Sequence, residues 1–194
     1  ADKKVGALIE VNSETDFVAK NQDFVDFVAL CAKTVIESNP ADVEALLNAT
    51  AFGTNETVAA VLQEKVLTIG ENLKIRRFER MEGDLITYIH GNGSIGVIVK
   101  FDVDANVAES EEFVEFSKNI ALQVGAYPVS YLDRNSVPAS VIESEKEIIK
   151  AQIMNDPKES QKPEKVIEGM IQGRIKKELK EICLLDQVYV KAED

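Results

Sequence analysis

The sequence predicts an α+β protein of two related subdomains, each a small antiparallel sheet packed against helices, with a protruding antiparallel helical hairpin. Three observations carry that expectation. Apolar residues alternate at Val5, Ala7, Ile9 and Val11, as in a strand with a buried face, and then adopt helical spacing at Phe24, Phe27, Val28 and Cys31. The same order recurs later. Val5-Gly6-Ala7-Leu8-Ile9 resembles Ile95-Gly96-Val97-Ile98-Val99, and Phe24-Val25-Asp26-Phe27 resembles Phe113-Val114-Glu115-Phe116, with the offset changing by a single residue between the two matches. Finally, two long apolar stripes near the end of the chain are interrupted only by Asp156-Pro157-Lys158.

The elements follow in order. After the first strand, Ser13 to Asn21 reads as a connection holding an Asp16-Phe17 pair, and a helix runs from about Gln22 to Ile36 until Asn39-Pro40 stops it. A short helix near Ala41 to Asn48 precedes a stronger one from about Glu56 to Ile69, with Gly70 where a C-cap belongs. Strands are then expected as an antiparallel meander. They span Leu73 to Met81, Leu85 to His90 and Ile95 to Val103, with turns at Glu82-Gly83-Asp84 and Gly91-Asn92-Gly93-Ser94. The repeat places the subdomain boundary there, giving residues 1–92 and 93–194. Helices over Pro138 to Asn155 and Pro163 to Ile182 form the hairpin, about 138–182, which can bury its stripes against itself, its own domain or a partner. Val188-Tyr189-Val190 reads as a last strand.

Composition narrows the function classes. With 22 basic and 34 acidic residues the net charge is -12, which disfavours sequence-independent phosphate binding and hence direct nucleic-acid recognition. Cys31 and Cys183 are too few for a disulfide framework or a zinc knuckle and suit reduced thiols in a cytosol. No apolar run approaches the roughly 20 residues that span a bilayer, and no basic-then-apolar leader precedes the first strand, so a cytoplasmic protein without membrane contact is expected.

Chemistry-bearing motifs are scarce. Gly91-Asn92-Gly93-Ser94-Ile95-Gly96 satisfies the dinucleotide-binding pattern G-x-G-x-x-G, but Val97-Ile98-Val99-Lys100-Phe101 after it reads as a strand, so no helix N-terminus would face a pyrophosphate. A turn requiring positive φ explains those glycines better. His90 is the sole histidine, no nucleophile elbow is present, and neither cysteine has a neighbouring base. No catalytic residue, cofactor or metal site is assigned. The Asp16-Phe17 pair in the connection remains to be explained; the simplest account is a core Phe beside a helix-capping Asp. Against it, the second copy has Ala105-Asn106-Val107 at the place of Thr15-Asp16-Phe17, so the fold does not require the pair.

The run Glu10-Val-Asn-Ser-Glu-Thr-Asp-Phe-Val-Ala-Lys20 resembles a signature of the elongation factor Ts family at essentially every position. Further matches follow in the right order: Ile69-Gly70-Glu71-Asn72 with Ile75-Arg76-Arg77, His90-Gly91 before Ile95-Gly96-Val97, and Glu168-Gly169 with Gly173-Arg174. The resemblance implies a guanine nucleotide exchange factor, not an enzyme, that binds the GTPase elongation factor Tu and promotes GDP release during translation elongation. It implies that Phe17 wedges between helices of the partner while Asp16 acts near the partner's magnesium and phosphates, and that the His90-Gly91 turn presses on the same domain. The implied partner-binding residues are Thr15, Asp16, Phe17, Lys20, Asn21, His90 and Gly91; magnesium and GDP would belong to the partner. The family's hairpin is a coiled coil that takes part in assembly, so a homodimer or a partner contact through it is expected. A scaffold that self-associates through the hairpin without exchange activity is the alternative. The family's small N-terminal helical module and C-terminal extension are not matched, which points to a trimmed core. Many relatives carry a basic residue where Ser94 stands, so no charge contact is expected there.

Overall fold

The computed structural model describes residues 4–192. It is a mixed helix and strand fold whose chain divides into two compact units, Ala1–Gly125 and Ala126–Asp194. The boundary at residues 92 and 93 is one between repeats, a proposal distinct from this division by compactness.

In the first unit, strand β1 (Val5–Asn12) leads through a one-turn helix α1 (Asp16–Ala19) into helix α2 (Gln22–Ser38). Asn21 caps α2 by accepting from the Asp23 amide at 2.8 Å, and Asn39, in the left-handed region at φ 45°, ends it before Pro40. Helices α3 (Val43–Asn48) and α4 (Val58–Ile69) follow; Thr57 caps α4, and Gly70 closes it at φ 80°. Phe27, Cys31 and Val35 of α2 meet Leu46, Val58 and Val61 beneath Ala7, Ile9 and Val11 of β1. Phe27 is 1% exposed, and removing such a ring from water contributes about 2–3 kcal/mol.

The strands correct the expected meander. Strand β2 (Lys74–Glu82) pairs antiparallel with β1, while β3 (Asp84–His90) pairs antiparallel with β4 (Ile95–Phe101), giving two separate two-stranded sheets. Only Gly83 separates β2 from β3, too short a link for a two-residue hairpin, so the chain passes from one sheet into the next instead of reversing. Gly83, at φ 130°, donates its amide to the Lys4 carbonyl at 2.8 Å. A bulge lies opposite Glu10 and Val11, where the register passes from Arg77 to Ile75. Neighbouring strand residues ordinarily face opposite ways, but this bulge lets both Arg76, at 3.1 Å, and Arg77, at 2.7 Å, reach the Glu10 carboxylate.

Glycines set how β1 approaches β4. A Cβ at Gly6 would lie 2.9 Å from Ile98 Cδ1, and one at Gly96 would lie 2.5 Å from Leu8 Cδ1. Each glycine thus receives the side chain two residues beyond its counterpart in the other copy. Contacts of 6 with 98 and 8 with 96 run the strands in opposite directions. The C-terminal end of β1 and the N-terminal end of β4 therefore lie at the same end of the unit. The repeat continues after β4 as a one-turn helix α5 (Ala105–Ala108) and helix α6 (Glu111–Ala126).

The second unit contains the hairpin: helix α7 (Ala139–Asn155) and helix α8 (Glu164–Ile182), starting after Pro138 and Pro163, where a missing N–H is harmless. Ile149, Ile153, Ile171 and Ile175 close the two helices on each other. At the tip, Asp156 accepts from the Lys158 and Glu159 amides at 2.7 and 3.0 Å, and Arg174 pairs with Glu159 at 2.7 Å. Val188-Tyr189-Val190 is not a strand, contrary to expectation. No strand is present in this unit among the described residues, so no regular ladder runs through the segment; Val188 is 63% exposed.

Candidate functional site

The connection from β1 to α2 is built around Thr15. Its side chain caps α1, accepting from the Val18 amide at 3.4 Å, and its hydroxyl donates to Glu71 Oε1 at 2.5 Å. The other carboxylate oxygen, Oε2, accepts the Glu14 and Thr15 amides, both at 3.0 Å. One acidic side chain just past the end of α4 therefore takes up three donors at the entrance to α1. Ser13 adds a hydroxyl bond to the Thr15 carbonyl at 3.0 Å.

This arrangement decides the role of Asp16 and Phe17 within the fold. Thr15, not Asp16, is the cap; Asp16 sits in the first turn and pairs with Lys20 one turn on, at 2.8 Å. The Lys20 ammonium beside it holds the Asp16 carboxyl below the usual aspartate value. Phe17 is not a core residue. At 81% exposure it is the most exposed large apolar side chain among the described residues. Single exposed apolar groups are ordinary, but an aromatic ring held outward on a hydrogen-bonded turn is the form of an interface anchor.

The second copy supplies an internal control and one correction. The caps align Thr15 with Asp104, so Phe17 lies opposite Asn106 and Val18 opposite Val107, one residue away from the sequence pairing with Ala105-Asn106-Val107. The deleted residue falls between the strand and the one-turn helix. Asp104 caps α5 without a side-chain hydrogen bond, yet the turn forms.

His90 and Gly91 stand at the β3–β4 turn, at the same end of the unit as the departure of the Asp16-Phe17 connection. Gly91, Asn92 and Gly93 all have positive φ, 59°, 56° and 95°, as the sequence predicts. At Gly91 a Cβ would also collide with the Ser94 hydroxyl. His90 is exposed, and its Nδ1 shares a 2.8 Å hydrogen bond with the Tyr88 hydroxyl, which aims the ring. Ile89 beside it is 60% exposed. Strand β4 follows the turn directly, so the glycine pattern has no helix N-terminus to offer a phosphate.

The Asp16-Phe17 connection and the His90 turn present Phe17 and His90 outward to solvent. Clefts beside Leu85 and Phe113 and between Val141 and Glu178 hold about 30 and 90 Å³, far below the roughly 300 Å³ from which ligand pockets start. No grouping of three or more metal-ligating side chains occurs among the described residues. Among those same residues no helix is long and apolar enough to cross a membrane.

Sequence reasoning quoted Glu71 within a matched stretch but assigned it no role. Its contacts lie more than fifty residues away in the chain, and local spacing carries no trace of them.

The family model described as Elongation factor TS matches residues 14–194, which include both segments. The chain belongs to the elongation factor Ts family. It is 43% identical over 188 residues to the elongation factor Ts of Syntrophotalea carbinolica, covering 95% of this chain and 60% of that protein. The elongation factors Ts of Clostridium novyi and Trichlorobacter lovleyi are 42% and 43% identical, each covering 100% of this chain and 62% and 63% of their own lengths. The chain thus spans about three fifths of the relatives it matches.

Proposed function

We propose that this chain is a guanine nucleotide exchange factor of translation elongation that binds elongation factor Tu in the cytoplasm and promotes release of its GDP, without enzymatic bond making. The observation that carries the reading is Phe17, an aromatic ring 81% exposed on a turn held by three hydrogen bonds, within a chain of the elongation factor Ts family.

Exchange needs differential binding, not chemistry. A protein that binds the nucleotide-free partner more tightly than the GDP-bound one weakens GDP by the same factor. Phe17 supplies apolar area to insert between helices of the GTPase domain. Asp16 brings a carboxylate, ionised at neutral pH as any exposed aspartate is and held further below the usual value by Lys20, close to where the partner holds magnesium and phosphates. Disturbing that ion removes the charge that neutralises the phosphates. Thr15 and Asn21 hold the two helix starts on either side of the pair. His90 and Gly91, at the same end of the unit, make the second contact. The hairpin contributes a separate contact surface, toward the partner or a second copy.

The test is linkage. The affinity of the chain for nucleotide-free and for GDP-bound elongation factor Tu is measured by titration calorimetry, and the affinity of elongation factor Tu for GDP is measured with and without the chain. The reading predicts tighter binding to the nucleotide-free form and an equal-factor loss of GDP affinity. Equal affinity for both forms would exclude exchange by this chain.

A further inference from the structure

Phe17 is directed by a side chain from a distant part of the sequence. The turn Asp16–Ala19 has no buried residue, and a single helical turn does not hold itself in water. Core packing does not hold the ring either, since it is 81% exposed. Glu71 does: its carboxylate accepts the Glu14 amide, the Thr15 amide and the Thr15 hydroxyl. Glu71 is itself placed by the left-handed Gly70, whose amide closes α4 on the Val66 carbonyl at 2.9 Å. The second copy shows what the clasp is not for. Its one-turn helix α5 forms behind Asp104 without any side-chain cap bond, so the helical turn does not depend on one.

We infer that Glu71 is a positioning residue for the Asp16-Phe17 contact: by locking residues 14 and 15 it sets the direction in which the Phe17 ring leaves the surface before any partner arrives. The inference rests on the exchange reading above. Ordering a loop on binding is unfavourable, and a loop already ordered in the free protein avoids that loss. Hydrogen bonds to an ionised carboxylate are the stronger kind, so this one side chain suffices for the task.

Two readouts test it, one of them independent of any partner. In the free chain, Glu71→Ala is expected to speed amide hydrogen exchange at Glu14 and Thr15 by about tenfold or more, while core amides such as Cys31 and Ile75 are unchanged. In stopped-flow release of fluorescent GDP from elongation factor Tu, the same variant slows release by about tenfold at sub-saturating concentration and changes the saturating rate less. In a Phe17→Ala background, Glu71→Ala adds little, because a positioning residue has nothing left to position. Glu71→Gln keeps an acceptor oxygen for the two amides and recovers most of both readouts. Equal losses in both backgrounds, or a Gln variant as slow as the Ala variant, overturn the positioning role. Unchanged exchange at Glu14 and Thr15 overturns the clasp while leaving the exchange reading intact. A wild-type chain that leaves GDP release unaltered overturns the exchange reading, and the inference with it, even where the amide result shows the clasp.

Discussion

The two copies of the strand, one-turn helix and long helix unit share a backbone plan and part company in their side chains. In the first copy, α2 buries Phe24 and Phe27 at 6% and 1% exposure, Phe27 in one core with Leu46 of α3 and Val58 and Val61 of α4, and the preceding turn displays Phe17. In the second, α6 leaves the matching Phe116 53% exposed, edge-to-face with Phe101 and tilted against Phe113, and the preceding turn carries Asn106. The turn is thus a pedestal that the fold makes twice. Only the first copy mounts an aromatic ring on it, and there Glu71 bonds Thr15, whereas Asp104 in the second copy makes no side-chain cap bond. The second copy makes the turn without a ring at this place, so the turn itself does not require one.

The largest effect should come from the helices. Phe27→Ala removes a ring from a closed core and is expected to destabilise by about 3–5 kcal/mol, whereas Phe116→Ala should cost less than about 1.5 kcal/mol. Denaturant unfolding of both variants would break the comparison if the two losses were equal. Next come the glycines that let β1 and β4 approach. Gly96→Ala must displace Leu8, and Gly6→Ala must displace Ile98, each with a loss of about 1–3 kcal/mol by overcrowding. If the packing is as reciprocal as the contacts indicate, the two melting shifts will be similar; a large asymmetry would show that only one strand sets the approach.

Smaller effects separate charges. Asp16 is held below the usual aspartate value by Lys20, so its ion pair is present above that value and fades only as pH falls through the lowered one. Lys20→Met should return the Asp16 midpoint toward the ordinary aspartate value in an NMR titration followed at the Phe17 amide. Glu178 on α8 has the opposite sign: burial and then the neighbouring Glu145 raise its pKa, so the protonated form suits the folded hairpin. The hairpin should therefore gain stability as pH drops from neutral toward the glutamate range, and Glu145→Gln should stabilise it at pH 7 by the few tenths of a kcal/mol (~0.2–0.5) typical of like-charge neighbours. Thermal melts at two pH values would show the gain shrinking in acid.

Much of this was legible in the chain. Helical stripes, the Asn39 and Gly70 stops, the Gly91-Asn92-Gly93 turn and the hairpin all follow from local rules about φ, caps and periodicity, and the structure bears them out. Strand partners did not follow. Whether Gly83 begins a hairpin or a crossing between sheets depends on β1 lying ready as a partner for β2, a long-range fact with no local sign. Val188 to Val190 has the composition of a strand, but among the described residues its unit contains no strand whose ladder it would extend. At the candidate site the outward Phe17 could be suspected from its replacement in the second copy, although the one-residue deletion hid its true counterpart, Asn106. Glu71 was invisible as a clasp because hydrogen bonds across such a separation leave no periodicity.

The central claim is that the fold tolerates the second copy's residue at position 17 and the function does not. Phe17→Asn places the Asn106 side chain on the first pedestal, and the direct measurement is stopped-flow release of fluorescent GDP from elongation factor Tu, paired with a thermal melt of the variant. The account predicts a melt unchanged within about 0.5 kcal/mol and an acceleration reduced roughly 30-fold or more, as for loss of a hot-spot aromatic. A variant that accelerates release like the wild type would contradict it.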